Sequence, residues 1–211
     1  MSEIKLITVT NHPEHAQTLI RSATKHGWDL EVINCEWKGF GTKLIATYEY
    51  LKAHPEVERF VFADAFDVVV FGTPEEFIKK NDAPTSIFLS AEKGLWPPIL
   101  HPFSNRYSKK EHGFNYINSG LYYSPVENFF SIFEGNAPSY ETDDQYWMNM
   151  VYLFGQYGMI LDRPQVLFNS HSFISEGEYT YNNGRVQIMG NEPIFVHSNG
   201  KTIDPKLNEI I

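Results

Sequence analysis

The sequence predicts an α/β fold built on a mostly parallel sheet, and three observations carry that expectation. Apolar runs of strand length alternate with segments of helical periodicity through the first half of the chain, the pattern made when helices cross back over parallel strands. One such run, residues 59–71 (RFVFADAFDVVVF), is rich in Val and Phe and reads as a buried central strand. Its apolar character is broken by Asp64 and Asp67, three apart, and then resumes. With 211 residues, 42% of them hydrophobic, the chain has enough apolar material for one core, so a single domain over 1–211 is expected.

Taken in order, residues 4–10 form a first buried strand. Asn11 is placed to cap the helix that follows, Pro13 suits its first turn, and Gly27 suits the position just past its end. Residues 30–35 are a second strand. Trp37, Gly39 and Gly41 then make a flexible connection beyond a strand end, where ligands sit in open α/β sheets. Residues 43–54 are helical, with Leu44, Ile45, Tyr48 and Leu51 on one face. Beyond the central run, Thr73, Pro74 and Glu76 make a capping box that opens a helix through Lys80. Residues 86–91 are a strand ending at Glu92, and 93–113 form a long irregular loop of the kind that is usually functional. Strand character returns over 116–123, interrupted at Asn118, Ser119 and Gly120. Helices are expected at 126–133 and 143–154, the second with a Thr142-x-x-Gln145 capping pattern. Short strands follow at 159–161 and 166–168, a turn at 182–184, and a last apolar run at 193–196 that leads into His197.

Composition excludes several classes. A formal charge of −9 argues against broad electrostatic binding to nucleic acid, and an anionic ligand would need a metal and a few placed cations. No apolar run approaches the roughly 20 residues that cross a bilayer, so no membrane partner is expected. The N-terminus lacks the basic and apolar regions of a signal peptide, and the single cysteine agrees with a reducing compartment, so the expected location is cytoplasmic. Cys35 ends an apolar run and reads as a small buried hydrophobe. Neither Gly-x-Gly-x-x-Gly nor a Walker A sequence is present, so phosphate would be held in another way.

The chemistry centres on Asp64 and Asp67. Burying two like charges beside a core strand costs several kcal/mol unless a cation or hydrogen bonds offset it. A divalent metal is one reading; the other has one carboxylate capping a turn and its partner in water. His197 follows a strand, and an imidazole as third ligand favours Mn2+ over Mg2+. Lys201 can act as a point charge on phosphate, or be merely solvated. Asp143 and Asp144 open a helix, where capping and the helix dipole already account for carboxylates; the functional reading makes one of them a base. Glu92 and Trp96 end and follow a strand, as an acid and a stacking surface over the same crevice, with a loop anchor as the alternative for Trp96.

Six blocks in order then resemble the glycosyltransferase domain of the procollagen lysyl hydroxylase family. They are Gly39-x-Gly41-x-Lys43, the 62–69 segment (FADAFDVV), the 89–97 segment (LSAEKGLWP), the 116–125 segment with Asn118, Ser119 and Gly120, Asp143 to Gln145 with Leu161 and Asp162, and His197 to Lys201. The related collagen galactosyltransferases share this plan. The resemblance implies a GT-A-like nucleotide-diphospho-sugar transferase fold with a mixed, mostly parallel central sheet, a UDP-sugar donor and Mn2+, with Mg2+ as the alternative. It assigns the metal to Asp64, Asp67 and His197, the donor and reaction site to Lys43, Phe66, Trp96, Asn199, Gly200 and Lys201, and catalysis to Asp143, Asp144 or Glu92. Phe66 stands where the family usually has Tyr, so a hydroxyl contact to the donor is lost. With no room for a hydroxylase domain, a stand-alone microbial or viral relative is expected.

The expected activity is therefore metal-dependent sugar transfer to an acceptor hydroxyl on hydroxylysine, a hydroxylated nucleobase or a glycan, with nucleic acid entering only as acceptor. The rivals are a sugar-nucleotide-binding module without turnover, and a nucleotidyltransferase or phosphohydrolase using the carboxylate pair in two-metal chemistry.

Overall fold

The computed structural model describes residues 4–109, 111–175 and 177–200. Its strands are β1 (Ile4–Thr10), β2 (Leu30–Asn34), β3 (Arg59–Ala63), β4 (Val68–Val70), β5 (Ile87–Glu92), β6 (Tyr116–Pro125), β7 (Met159–Asp162), β8 (Phe168–Ser170), β9 (Tyr179–Asn182), β10 (Arg185–Ile188) and β11 (Phe195–His197). The helices are α1 (Gln17–Lys25), α2 (Gly41–Ala53), α3 (Pro74–Lys80), α4 (Val126–Gly135) and α5 (Asp144–Phe154). Among the described residues no helix is long and apolar enough to cross a membrane.

The main sheet has the order β2-β1-β3-β6-β5-β7. Only β6 runs against its neighbours; the other strands point one way, giving the expected mixed, mostly parallel sheet. Reversal of β6 matters for function, because its first residues return to the edge where β3 and β5 end. Ala63 pairs with Leu121 and Glu92 with Tyr116, so Asn118, Ser119 and Gly120 stand among the carboxyl ends of the parallel strands.

Alternation of side chains along the strands gives each sheet face its own core. Ile7, Val9, Phe60, Phe62, Leu89 and Tyr122 pack beneath α2, α4 and α5. Leu6, Val61, Leu121 and Tyr123 face Leu19 of α1, Phe77 of α3 and the small sheet β4-β11-β8. A hairpin of β9 and β10 covers the far side of that sheet through Val186 against Val69 and Val196.

The segment expected as one central strand is thus two strands in two sheets. β3 ends at Ala63, and the chain crosses through Asp64 and Asp67 before β4 joins β11. Other local expectations are corrected as well. Asn11 caps nothing, because a 3-10 turn at Pro13–His15 precedes α1. Asp143, not Thr142, caps α5, its side chain accepting from the Tyr146 N–H at 2.7 Å. Thr142 Oγ1 instead accepts from the Ser139 N–H at 2.9 Å and lies 3.2 Å from the Ser139 hydroxyl, closing the turn that leads into α5. β6 is one strand through Asn118, Ser119 and Gly120, but the expected interruption shows in its pairing with β5: Leu89 pairs with Tyr122 and Ser90 with Asn118, so the extra residues, 119–121, lie on β6. The strand expected at 166–168 is shifted to β8, because Asp162 accepts the N–H groups of Val166, Leu167 and Phe168 and so holds 166–167 in a bend that β8 begins from. The cap of α3 is as expected, with Thr73 Oγ1 accepting from the Glu76 N–H. Asn183 and Gly184, both at positive φ, join β9 to β10, as the Asn-Gly turn signal implies.

Candidate active site

Asp64 follows β3, and its N–H donates to the Gly120 carbonyl at 2.8 Å. Asp67 directly precedes β4. Since β4 pairs antiparallel with β11, Val68 opposite His197, the strand pairing itself delivers Asp67 to the histidine. The Ser198 N–H donates to the Asp67 carbonyl at 2.8 Å and locks the junction. His197 Nε2 lies 3.0 Å from Asp67 Oδ1 and 3.7 Å from Asp64 Oδ2. One ligand atom from each residue falls within 4.8 Å of the others.

This donor set fits a divalent cation. Two carboxylate oxygens suit Mg2+ or Mn2+, and the imidazole nitrogen tilts the set toward manganese. Crowding around the cluster agrees with a built site. A Cβ on Gly120 would come within 2.2 Å of His197 Cε1 and 2.7 Å of Asp64 Oδ2, so only glycine lets β6 approach so closely. Burial works against the His197 imidazolium, but Asp67 and then Asp64 outweigh it and raise its pKa. Asp67 shows the reciprocal effect: burial opposes its carboxylate, and His197 holds its pKa below the ordinary value.

Lys43 enters from the first turn of α2. Its Nζ is 2.9 Å from Asp64 Oδ1 and 2.7 Å from Asp144 Oδ2, bridging the ends of β3 and α5. Burial disfavours this ammonium, yet Asp144 and Asp64 together raise its pKa. The turn that carries it lies flat against 139–140: a Cβ on Gly41 would sit 2.0 Å from the Ser139 carbonyl oxygen, and one on Gly39 2.2 Å from that of Tyr140. Both glycines are therefore required by backbone proximity. Ser119 Oγ donates to Asp144 Oδ2 at 2.9 Å, sharing that oxygen with Lys43.

Glu92 closes the deep wall. It is 3% exposed, and internal amides engage both of its oxygens: Gln145 Nε2 donates to Oε1 at 2.6 Å, while Asn199 at 2.7 Å and Asn118 at 3.4 Å donate to Oε2. Burial pushes its pKa up to about 7, although these donors pull the other way. Gln145 also donates to the Trp96 carbonyl, and Asn199 Oδ1 accepts from the Ser172 N–H, so the surrounding loops hang on this one cluster.

Two clefts meet at the carboxylates. The larger, about 700 Å3, contains Lys43, Glu92, Trp96, Asp143, Asp144, Asn199 and Gly200 together with the three candidate metal ligands. The smaller, about 360 Å3, lies over the end of β1 and the loop that follows β2 and is walled by Trp37, Phe40 and Phe66. Asp64, Asp67, Lys43 and Phe40 border both. Phe66 is thus separated from the larger cleft, and Lys201 lies outside the described residues. Reading the sequence gave no individual role to Asn118, Ser119 or Gln145, nor any place to Phe40 and Phe173 at the rim. For the first two a signal exists: buried polar residues need partners, and a glycine beside them inside a strand marks a bulge or the close approach of another group.

Comparison with known proteins agrees with this architecture. A family model described as the PLOD GT domain matches residues 1–210. The chain is 26% identical over 152 residues to the multifunctional procollagen lysine hydroxylase and glycosyltransferase LH3 of Homo sapiens, covering 67% of this chain and 20% of that protein. It is 23% identical over 226 residues to the multifunctional procollagen lysine hydroxylase and glycosyltransferase of Caenorhabditis elegans, covering 95% of this chain and 31% of that protein. The chain therefore spans about a fifth to a third of the length of these relatives. Among solved structures, a glycosyltransferase involved in glycosylation of the major capsid of PBCV-1 superposes with a TM-score of 0.56 at 14% identity, covering 98% of both chains. The fold is GT-A-like. With its family model matched from end to end of the ordered sheet, the chain belongs to the PLOD GT domain family.

Proposed function

We propose that this chain transfers a hexose or similar sugar from a UDP-sugar to an acceptor hydroxyl, using manganese, with magnesium as the alternative ion. The observation that carries this reading is the Asp64, Asp67 and His197 cluster at the junction of the two clefts. Aromatic walls at Trp37, Phe40 and Phe66 suit a nucleoside, and the larger polar cleft suits the sugar and the acceptor. A divalent ion at the junction supplies Lewis-acid stabilisation of the departing diphosphate.

The chain's own residues divide the remaining work. Lys43 holds Asp64 and Asp144 in place and sets a fixed positive charge beside the diphosphate position. Trp96, 58% exposed at the rim, offers a stacking face to the acceptor or the sugar. Of the three candidate catalytic carboxylates, Asp144 is engaged by Lys43 and Ser119, and Glu92 by three amides. The cap of α5 uses only Oδ1 of Asp143, and Asp143 is partly exposed where Asp144 is buried, so its other oxygen can meet an acceptor hydroxyl. Asp143 is accordingly the acceptor-side base in this reading, and Glu92 a brace. Acceptors of matching chemistry are hydroxylysine in a protein, a hydroxylated nucleobase and a glycan.

The test is incubation with a panel of nucleotide sugars and Mn2+, with the released nucleotide identified. UDP as product supports sugar transfer. Binding without release points to a module that has lost turnover, and diphosphate or inorganic phosphate as product points to nucleotidyl transfer or phosphohydrolysis.

A further inference from the structure

His197 can serve a cation only through Nε2, the nitrogen that faces Asp64 and Asp67. A neutral imidazole carries its proton on one nitrogen or the other, so something must hold that proton on Nδ1. The buried neighbour of Nδ1 is Asn118 Oδ1, at 2.9 Å. Nothing in an isolated amide fixes which end points where, but two further contacts settle it here. The Gly120 backbone N–H, a donor that cannot invert, reaches Asn118 Oδ1 at 3.0 Å. At the other end the Nδ2 group meets acceptors, Glu92 Oε2 at 3.4 Å and Gln145 Oε1 at 3.5 Å. A flipped amide would set N–H against N–H at Gly120 and oxygen against the Glu92 carboxylate.

We propose that Asn118 is a positioning residue for the cation site: its amide, oriented by Gly120 and Glu92, accepts the His197 Nδ1 proton and so aims the Nε2 lone pair at Asp64 and Asp67. This rests on the metal reading of the cluster. It also gives Glu92 a function, because the carboxylate that braces the cleft sets the amide that sets the histidine. The chain of hydrogen bonds runs from the wall of the larger cleft to the cation ligand without passing through solvent, all members being buried. A partner on the distal nitrogen of a ligating histidine is the usual means of fixing its ring and tautomer.

The test uses the full chain, 15N-labelled at histidine and loaded with 113Cd2+. The expected spectrum couples cadmium to His197 Nε2 and keeps a proton on Nδ1. Coupling to Nδ1 overturns the proposal. Absence of any Cd2+ binding by the wild-type chain overturns the metal reading, and the proposal with it. Titration of Cd2+ into Asn118→Leu, which lacks the acceptor, is expected to give an affinity weaker by roughly 10- to 100-fold. Asn118→Asp combined with Glu92→Gln, which keeps an acceptor toward Nδ1 and a donor at the other end, is expected to recover most of that loss. A folded Asn118→Leu chain with wild-type affinity, or a double variant as weak as the leucine variant, refutes the role of Asn118 while leaving the metal reading intact. The labelled wild-type spectrum decides the matter even where the leucine variant fails to fold.

Discussion

Two carboxylate sites stand at the same edge of the main sheet, and they are resolved in opposite ways. Asp162 ends β7 and is 2% exposed. Its Oδ1 accepts from the Val166 N–H at 3.0 Å, and its Oδ2 from the Leu167 and Phe168 N–H groups at 2.8 Å. The backbone just downstream thus meets that carboxylate with three N–H groups, although burial still raises its pKa, and the result is a turn that leads into β8. Asp64 and Asp67, between β3 and β4, are answered by Lys43 and His197, which come from α2 and β11. Their side chains stay about a quarter exposed, at 24% and 23%, and border two clefts. A carboxylate satisfied by neighbouring N–H groups builds structure. A pair standing together at the junction of two clefts, held by side chains from distant segments, is poised to take a ligand.

If this contrast is right, the two sites should fail differently. The largest expected effect is on binding: Asp67→Asn should weaken Mn2+ affinity by at least about 100-fold, near 2.7 kcal/mol at about 1.4 kcal/mol per tenfold change. Circular dichroism should remain native, since removing one charge also relieves repulsion with Asp64. Asp162→Ala should behave in reverse. It strands three N–H groups, so urea unfolding should show a loss of about 3 kcal/mol, while the Mn2+ affinity of the folded fraction stays at the wild-type value. Asp67→Asn unfolding the chain, or Asp162→Ala abolishing metal binding, would erase the distinction.

A smaller effect is expected at Glu76, which sharpens the same comparison with a third arrangement. Its carboxylate takes both guanidinium nitrogens of Arg185, at 2.5 and 2.6 Å, and also pairs with Lys80. Arg185 is the main cause of a pKa held down at about 2, against a smaller opposing effect of burial. A depressed carboxylate pKa stabilises the fold above the unfolded value, near 4.3, and that contribution is lost as pH falls toward 2. Arg185→Ala should lower stability by about 1 kcal/mol at neutral pH and flatten this acid-side loss. A steep acid limb that survives unchanged in the variant would assign the loss to other carboxylates.

Much of this was legible in the chain. Apolar patterning located β1, β2, α2, β5 and α4, the capping box at Thr73 located α3, and the interruption of an apolar run by Asp64 and Asp67 marked the site. What stayed hidden shares one physical cause, long sequence separation. The reversal of β6 and the division of the 59–71 segment between two sheets depend on pairings with β3, β5 and β11, which no local window contains. The bridge from Lys43 to Asp144 and the contact from Asn118 to His197 are likewise set by topology. Local chemistry also misled where two residues competed for one role: Thr142 and Asp143 both suit a helix cap, and the contacts of Thr142 with Ser139 decide between them.

The central claim is that the Asp64, Asp67 and His197 cluster holds a divalent ion that receives a nucleotide diphosphate. Isothermal titration of UDP into the full chain, with and without Mn2+, tests it most directly, with Asp67→Asn as the matched control. Wild-type protein should bind UDP tightly only when Mn2+ is present, and the variant should show no Mn2+-dependent gain. UDP binding of equal strength with and without the ion, or a gain that persists in Asp67→Asn, would contradict the account.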